Sequence, residues 1–245
     1  MPEPERIWII GASDGIGASL ARHYAGQGAR LILSARSENK LMALASELGE
    51  GHEVVTLDVA DRASVEAATA RIGASGPLDR IIHLAALYDP GRVADLDPDR
   101  AAQIVTVNLT GSFYVAQLAP PLLREGGQLA LCGSVAGYIG LPRGQIYSAS
   151  KAGVMNLAQT LRAELAPRVD VRLISPGFVD TRLTRQNDFT MPAITTPEKA
   201  ARAIASGLDR RGFEVHFPRR FTYPMKLLAS LPNWAALRLT GRLAR

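Results

Sequence analysis

A tyrosine, a lysine and a serine near the middle of the chain have the types and spacing for proton transfer. Tyr147 and Lys151 lie four residues apart in Tyr147-Ser148-Ala149-Ser150-Lys151, so on a helix they share one face. A free phenol titrates near ~10, and a cation within ~4–6 Å stabilises the phenolate. Such a phenol can exchange a proton with a substrate oxygen near neutral pH. Of the six tyrosines, Tyr147 alone has a lysine four residues later. A buried aromatic with a lysine stem lying along it would use the same spacing, so the pair by itself leaves both readings open. Ser134, thirteen residues upstream, follows a β-rich run, where a hydroxyl can hydrogen-bond a carbonyl oxygen. Asn108 sits inside a long uncharged stretch, where an amide must find partners or cost stability. Taken alone, it reads as a satisfied core asparagine.

A second group of residues suits a phosphate-bearing ligand. Gly11-Ala12-Ser13-Asp14-Gly15-Ile16-Gly17 stands between an apolar run and a helix-patterned one. Glycines there permit a tight turn and let backbone N–H groups approach a pyrophosphate. Gly17 would let the helix pack closely on the strand. The spacing is G-x-x-x-G-x-G, not the commoner G-x-G-x-x-G. The next β-rich run ends in Leu33-Ser34-Ala35-Arg36. An acid at this point would hold the ribose hydroxyls of NAD, whereas an arginine pairs with the extra phosphate of NADP. Ala35 removes the acid and Arg36 supplies the cation, which favours NADP(H), with NAD(H) as the second choice. Asp14 would oppose that phosphate if it lay close by.

These residues need elements to hold them, and the chain alternates in the required way. Short β-rich runs occur at Arg6–Ile10, Arg30–Ser34, Glu53–Leu57, Arg80–Leu84, Gln128–Cys132 and Val169–Ile174. Helical spacing fills Ile16–Gln27, Lys40–Leu48, Ala63–Ile72 and Ile146–Leu165. Strands apolar on both faces, alternating with helices, predict a parallel sheet covered on each side. The predicted fold class is therefore α/β: one Rossmann-type doubly wound domain over residues 1–245, with its ligand site at the carboxyl ends of the strands. The chemical residues do follow predicted strands. Ala101–Leu123 is free of charge over 23 residues, long enough to span a bilayer. Its Gln103, Asn108, Gln117, two threonines and Pro120-Pro121 read instead as a buried helix.

Taken together, Gly11–Gly17, Asp58, Asn108, Ser134, Tyr147, Lys151 and Pro176-Gly177 resemble the classical short-chain dehydrogenases/reductases, from Arg6 to about Phe217. The resemblance implies an enzyme that transfers hydride between NADP(H) and a carbonyl/alcohol pair. It makes Tyr147 the general acid/base, and it has Lys151 lower the phenol's pKa while holding the nicotinamide ribose. Ser134 would orient the substrate oxygen and Asn108 would hold a water in a proton relay. Asp58 and Val59 would contact the adenine. Ala85, after the fourth strand, would line the cofactor site, and Pro176, Gly177, Val179 and Thr181 would border the nicotinamide. Ile10 stands where the family often has threonine, and His83-Leu84-Ala85-Ala86 replaces its Asn-Asn-Ala-Gly. The helix pairs around Ala101–Leu123 and Ile146–Leu165 resemble its dimer-forming elements, so a homodimer or homotetramer is expected. A reductase of carrier-bound 3-oxoacyl chains and a non-catalytic NADP-binding sensor are the alternatives.

Two segments should line the substrate side. Val135–Gly144 offers Val135, Tyr138, Ile139, Leu141 and Pro142; Phe178–Thr196 offers Phe178, Leu183, Phe189, Met191 and Ile194. An apolar substrate would suit them, and so would plain loop packing. Arg182 and Arg185 could instead steer an acidic or carrier-bound substrate.

Composition narrows the classes further. The 245 residues are 47% hydrophobic and 21% charged, which excludes a disordered or collagenous chain. The lone Cys132 cannot form an internal disulfide. The acidic, proline-broken Met1–Glu5 does not read as a signal peptide, so a cytoplasmic protein is expected. His83 has no second histidine or acid to complete a metal site, and no metal is expected. Net charge is +5, with nine Lys/Arg against two Asp/Glu after residue 200. That basic end carries no nucleic-acid-binding motif, and no nucleic-acid partner is expected. Residues 217–245 form a basic, apolar extension. Packing on another subunit or over the substrate site ranks ahead of contact with an anionic membrane surface.

Overall fold

The computed structural model describes residues 3–242. Its first strand explains the whole architecture. Along β1 (Arg6–Ile10), Ile7 and Ile9 enter one apolar cluster while Trp8 and Ile10 enter another, and all four are fully buried. Side chains alternate across a strand, so a strand apolar at consecutive positions must be covered on both faces. Helices α1 (Gly15–Ala25), α2 (Glu38–Leu48) and α7 (Pro197–Leu208) supply one cover, through residues such as Leu20, Leu41 and Ile204. The opposite face is covered by α3 (Arg62–Gly73), α5 (Gly111–Leu118) and α6 (Gln145–Leu165), through Val65, Val115 and Val154.

The remaining strands are β2 (Arg30–Ser34), β3 (Glu53–Val54), β4 (Leu78–His83), β5 (Leu123–Cys132), β6 (Val169–Pro176) and β7 (Glu214–Phe217). The sheet order is β3-β2-β1-β4-β5-β6-β7, with every pair parallel. This is the expected Rossmann-like α/β fold. The order reverses between β1 and β4, which opens a crevice beyond the carboxyl end of β1.

Three departures from the expected elements have local causes. Regular pairing of β3 stops at Val54, yet the Val55 and Leu57 N–H groups still donate to the Leu33 and Ala35 carbonyls. The extended segment therefore does run to Leu57. The uncharged stretch is not one helix: α4 (Pro98–Val105) passes through a π-helical turn (Thr106–Thr110) into α5. Pro120 and Pro121, which lack N–H donors, close that run in a short turn, and β5 begins at Leu123. β7 was not among the expected strands; it has only four residues, alternately buried.

Beyond β7, α8 (Arg219–Ser230) and α9 (Asn233–Gly241) turn Thr222, Met225, Ala236 and Thr240 inward. Among the described residues, no helix is long and apolar enough to cross a membrane.

Candidate active site

The β1–α1 turn forms one wall of a cavity of about 530 Å³. Gly11 has φ +92°, a conformation that L side chains rarely adopt, and a Cβ there would lie 2.7 Å from the Ala85 backbone nitrogen. A Cβ on Gly17 would lie 2.1 Å from the Gly11 carbonyl oxygen. The glycines thus bring β1, α1 and the end of β4 together. Asp14 caps α1 by accepting from the Gly15 N–H at 2.7 Å, and its other oxygen faces Arg182 at 3.5 Å. Ser13, Asp14, Gly15, Ile16, Arg36, Asp58, Val59, Ala85 and Thr181 line the cavity with Gly11 and Gly17. The Asp58 side chain braces its own loop, accepting from the Ala60 N–H at 3.0 Å. Arg36 does not stand alone: Ser37 and Lys40 line the same end. The Ser37 side chain makes no capping bond to α2, so its hydroxyl is free for a ligand.

A second cavity opens beside the first, and Leu183 borders both. Its walls include Ser134, Tyr147, Pro176 and Gly177. Ser134 caps the short turn after β5: its Oγ accepts from the Ala136 N–H at 3.1 Å, which leaves the hydroxyl proton available to donate. Tyr147 lies in the first turn of α6, with its ring edge-on to Tyr88 at 4.7 Å between centroids. Lys151, one turn on, is buried and donates from Nζ to the Cys132 carbonyl at 2.7 Å. Its Nζ stands 5.8 Å from the Tyr147 ring centroid.

Burial pushes the Tyr147 phenol above the ordinary tyrosine range; Cys132 and Tyr88 add to the rise, and the Ser134 hydroxyl pulls against it. Burial likewise pushes the Lys151 ammonium down, against the pull of Cys132. Burial thus outweighs the Ser134 hydroxyl, and the phenol is raised. Desolvation disfavours the phenolate, and Lys151 directs its N–H to a backbone carbonyl.

Three sequence-predicted residues stand behind these walls. Lys151 lines neither cavity, and nor does Val179, a buried core residue. Asn108 is fully buried in the π-helical turn, a helical irregularity found frequently at functional sites. Its amide accepts from the Leu87 N–H at 2.7 Å and donates to the Leu87 carbonyl at 2.9 Å and to Ser150 Oγ at 3.0 Å. The side chain is thus fully engaged in tying the loop after β4 to α6.

A match to the family model for short chain dehydrogenases covers residues 5–191. The chain belongs to this family. A Myxococcus xanthus (strain DK1622) protein named only as an uncharacterized oxidoreductase is 33% identical over 232 residues, 92% of each chain. A short-chain dehydrogenase from Burkholderia cenocepacia J2315, solved in complex with NADP, superposes with a TM-score of 0.85 at 26% identity, covering 99% of this chain and 98% of its own. Another from Sphingobium yanoikuyae, in complex with NADPH, gives 0.79 at 26% identity over 93% and 96%. The protein is thus an oxidoreductase of the short-chain dehydrogenase family.

Sequence reasoning missed several residues of this dehydrogenase's second cavity. Phe221 reaches it from α8 and packs at a tilt against Phe178, 5.6 Å between centroids, and Phe178 meets Phe189 edge-on at 5.8 Å. Tyr88 donates to Asn187 Oδ1 at 2.6 Å, joining the loop after β4 to the 178–196 loop. Arg143 pairs with Asp188 across the same gap. Of the expected apolar lining, Val135, Leu141, Pro142, Phe178, Leu183 and Phe189 are present, while Tyr138, Ile139, Met191 and Ile194 are not. Tyr138 turns away to donate to Glu214, which also holds Lys226 of α8. His83 is fully buried with no hydrogen-bond partner among the described residues, and burial pushes its pKa down to about 3.

Proposed function

We propose that this dehydrogenase uses NADP(H) to interconvert a carbonyl and an alcohol on an apolar small molecule. The observation that carries the reading is the position of Tyr147 and Ser134 on the wall of a phenylalanine-lined cavity that meets the larger cleft at Leu183. The larger cleft suits a dinucleotide: it combines a glycine turn at a helix N-terminus with Arg36, Ser37 and Lys40 at one end. Those three would hold the 2′-phosphate, in keeping with the NADP and NADPH bound by the two structural relatives. Asp14, which could have repelled that phosphate, faces Arg182 instead.

When bound, the cofactor's nicotinamide would supply or accept the hydride. Tyr147 gives its proton to the developing alkoxide in reduction and accepts one in oxidation. Ser134 donates its hydroxyl proton to the same oxygen and orients it. Lys151, fixed at the Cys132 carbonyl, keeps a positive charge beside the phenol as it ionises. Asn108 holds the loop after β4 in register with α6. Because the phenol is raised, it stays protonated through neutral pH. Reduction then runs flat across that range and falls only on the alkaline side, whereas alcohol oxidation, which needs the phenolate, climbs with pH. Rate profiles in the two directions check this sign.

Arg182 and Arg185 face Asp14 and Asp180, which argues against their steering an acidic carrier. One catalytic domain over residues 1–245, with 217–245 as its extension, and a cytoplasmic setting complete the reading. A homodimer or homotetramer formed through α5 and α6 would cover Phe113, which is 45% exposed.

NADPH consumption over a panel from small aldehydes to bulky apolar ketones tests the reading, with Tyr147→Phe alongside. The variant is expected to lose ~10²–10⁴-fold in turnover and to keep its NADPH affinity within a few-fold. Undiminished turnover in Tyr147→Phe sinks the mechanism, and NADPH binding without turnover on any carbonyl turns the reading to a sensor.

A further inference from the structure

The two C-terminal helices carry an exposed surface that the proposed chemistry does not use. Of the ten large hydrophobic side chains exposed among the described residues, five belong to α8 and α9: Tyr223, Leu227, Trp234, Leu237 and Leu239. Trp234 is 76% exposed and Leu227 66%. Concentration of half the exposed apolar side chains in so short a segment marks a contact surface, not scattered surface residues. The charge within the segment has one sign. Residues 219–242 hold five Lys/Arg and no Asp/Glu. Lys226 is paired with Glu214, while Arg219, Arg220, Arg238 and Arg242 are exposed. Inward, the same helices are anchored by Thr222, Met225, Ala236 and Thr240.

We propose that the outer face of α8 and α9 docks on an anionic lipid surface, with Trp234, Leu227 and Leu237 entering the headgroup boundary and the arginines meeting lipid phosphates. The helices are too short and too polar to cross a bilayer, and exposed apolar side chains interleaved with arginines, as Trp234 and Leu237 with Arg238, are the pattern of helices that lie in its surface. A second copy of the chain fits less well. A two-fold contact would set this face against itself, opposing like charges with no acid in the segment to pair them. Phe221, on the same helix, walls the cavity that holds Tyr147, so the docked face stands one helix away from the site.

Tryptophan fluorescence and co-sedimentation of the full chain with vesicles test this independently of any turnover. Trp8 is fully buried and donates to Ser34 Oγ at 2.9 Å, so a change in emission reports Trp234. With vesicles of phosphatidylcholine and phosphatidylglycerol, a blue shift and co-sedimentation are expected. Binding to phosphatidylcholine alone should be at least tenfold weaker, and added salt should weaken the anionic binding. The double variant Trp234→Ser, Leu237→Ser should bind at least tenfold more weakly while keeping the wild-type melting temperature. Arg219→Gln, Arg220→Gln, Arg238→Gln should lose the preference for anionic lipid. No binding to the anionic vesicles, or equal binding to both kinds, overturns the proposal. So does a drop in solution mass of the Trp234→Ser, Leu237→Ser variant, because a second copy then covers the face.

Discussion

The cleft over β1 and the cavity beside Tyr147 share Leu183 and are otherwise built by opposite means. The cleft is mostly backbone shape. Gly11 and Gly17 let main chain touch main chain, and the lining residues between Gly11 and Gly17 and between Ala35 and Lys40 come soon after β1 and β2. The cavity is side chains meeting across long loops: Tyr88 with Asn187, Arg143 with Asp188, Phe178 with Phe221. A backbone-built site tolerates no added atom, whereas one built of side chains can adjust.

Matched glycine substitutions would break or sharpen this contrast most strongly. In Gly17→Ala the new methyl would stand 2.1 Å from the Gly11 carbonyl oxygen, and only a shift of α1 relieves it. Destabilisation of about 3 kcal/mol, at the top of the usual overpacking range, is expected in urea unfolding, with NADPH binding lost. In Gly177→Ala the nearest atom, at 2.9 Å, is the ring edge of Phe221, which can rotate. About 1 kcal/mol or less is expected there, with a changed KM across the carbonyl panel. Equal costs at the two glycines would refute the contrast.

A smaller effect separates the two ends of the cleft. Arg36→Ala with Lys40→Ala removes both cations from the proposed phosphate end. Charge-assisted hydrogen bonds contribute about 1.5–3 kcal/mol each, so losing both should lower NADPH affinity by roughly a hundredfold or more. NADH affinity should stay level, as equilibrium titration with each cofactor would read out. An equal loss for both would move the phosphate site elsewhere.

The same contrast explains what was legible in the sequence. Strand β1 and the Gly11–Gly17 turn were readable because their information is local: consecutive apolar residues demand two covers, and glycines mark close backbone approach. Tyr147, Lys151 and Ser134 were legible as a set only through family resemblance, since each alone had a plain packing explanation. Phe221 and Asn187 were not legible at all. Each reaches the cavity from a distant segment, and no spacing rule links Asn187 to Tyr88, 99 residues away. Nor did the helix spacing of Tyr147 and Lys151 reveal that burial would raise the phenol, because desolvation depends on what packs around the helix.

The smallest expected effect tests the side-chain-built cavity at its finest point. Tyr88→Phe deletes the hydroxyl that donates to Asn187 and keeps the ring that stands edge-on to Tyr147. One such hydrogen bond contributes about 0.5–1.5 kcal/mol net, so the 178–196 loop loosens without unfolding. KM for an apolar carbonyl should rise about 2- to 10-fold while kcat holds. Tyr88→Leu removes the ring as well, leaving the Tyr147 phenol without its edge-on neighbour, and kcat should then fall too. Steady-state kinetics of the two variants separate closing the loop from seating the phenol. If Tyr88→Phe lowered kcat as much as Tyr88→Leu, the hydroxyl would be positioning Tyr147 itself, and loop and phenol would act as one unit.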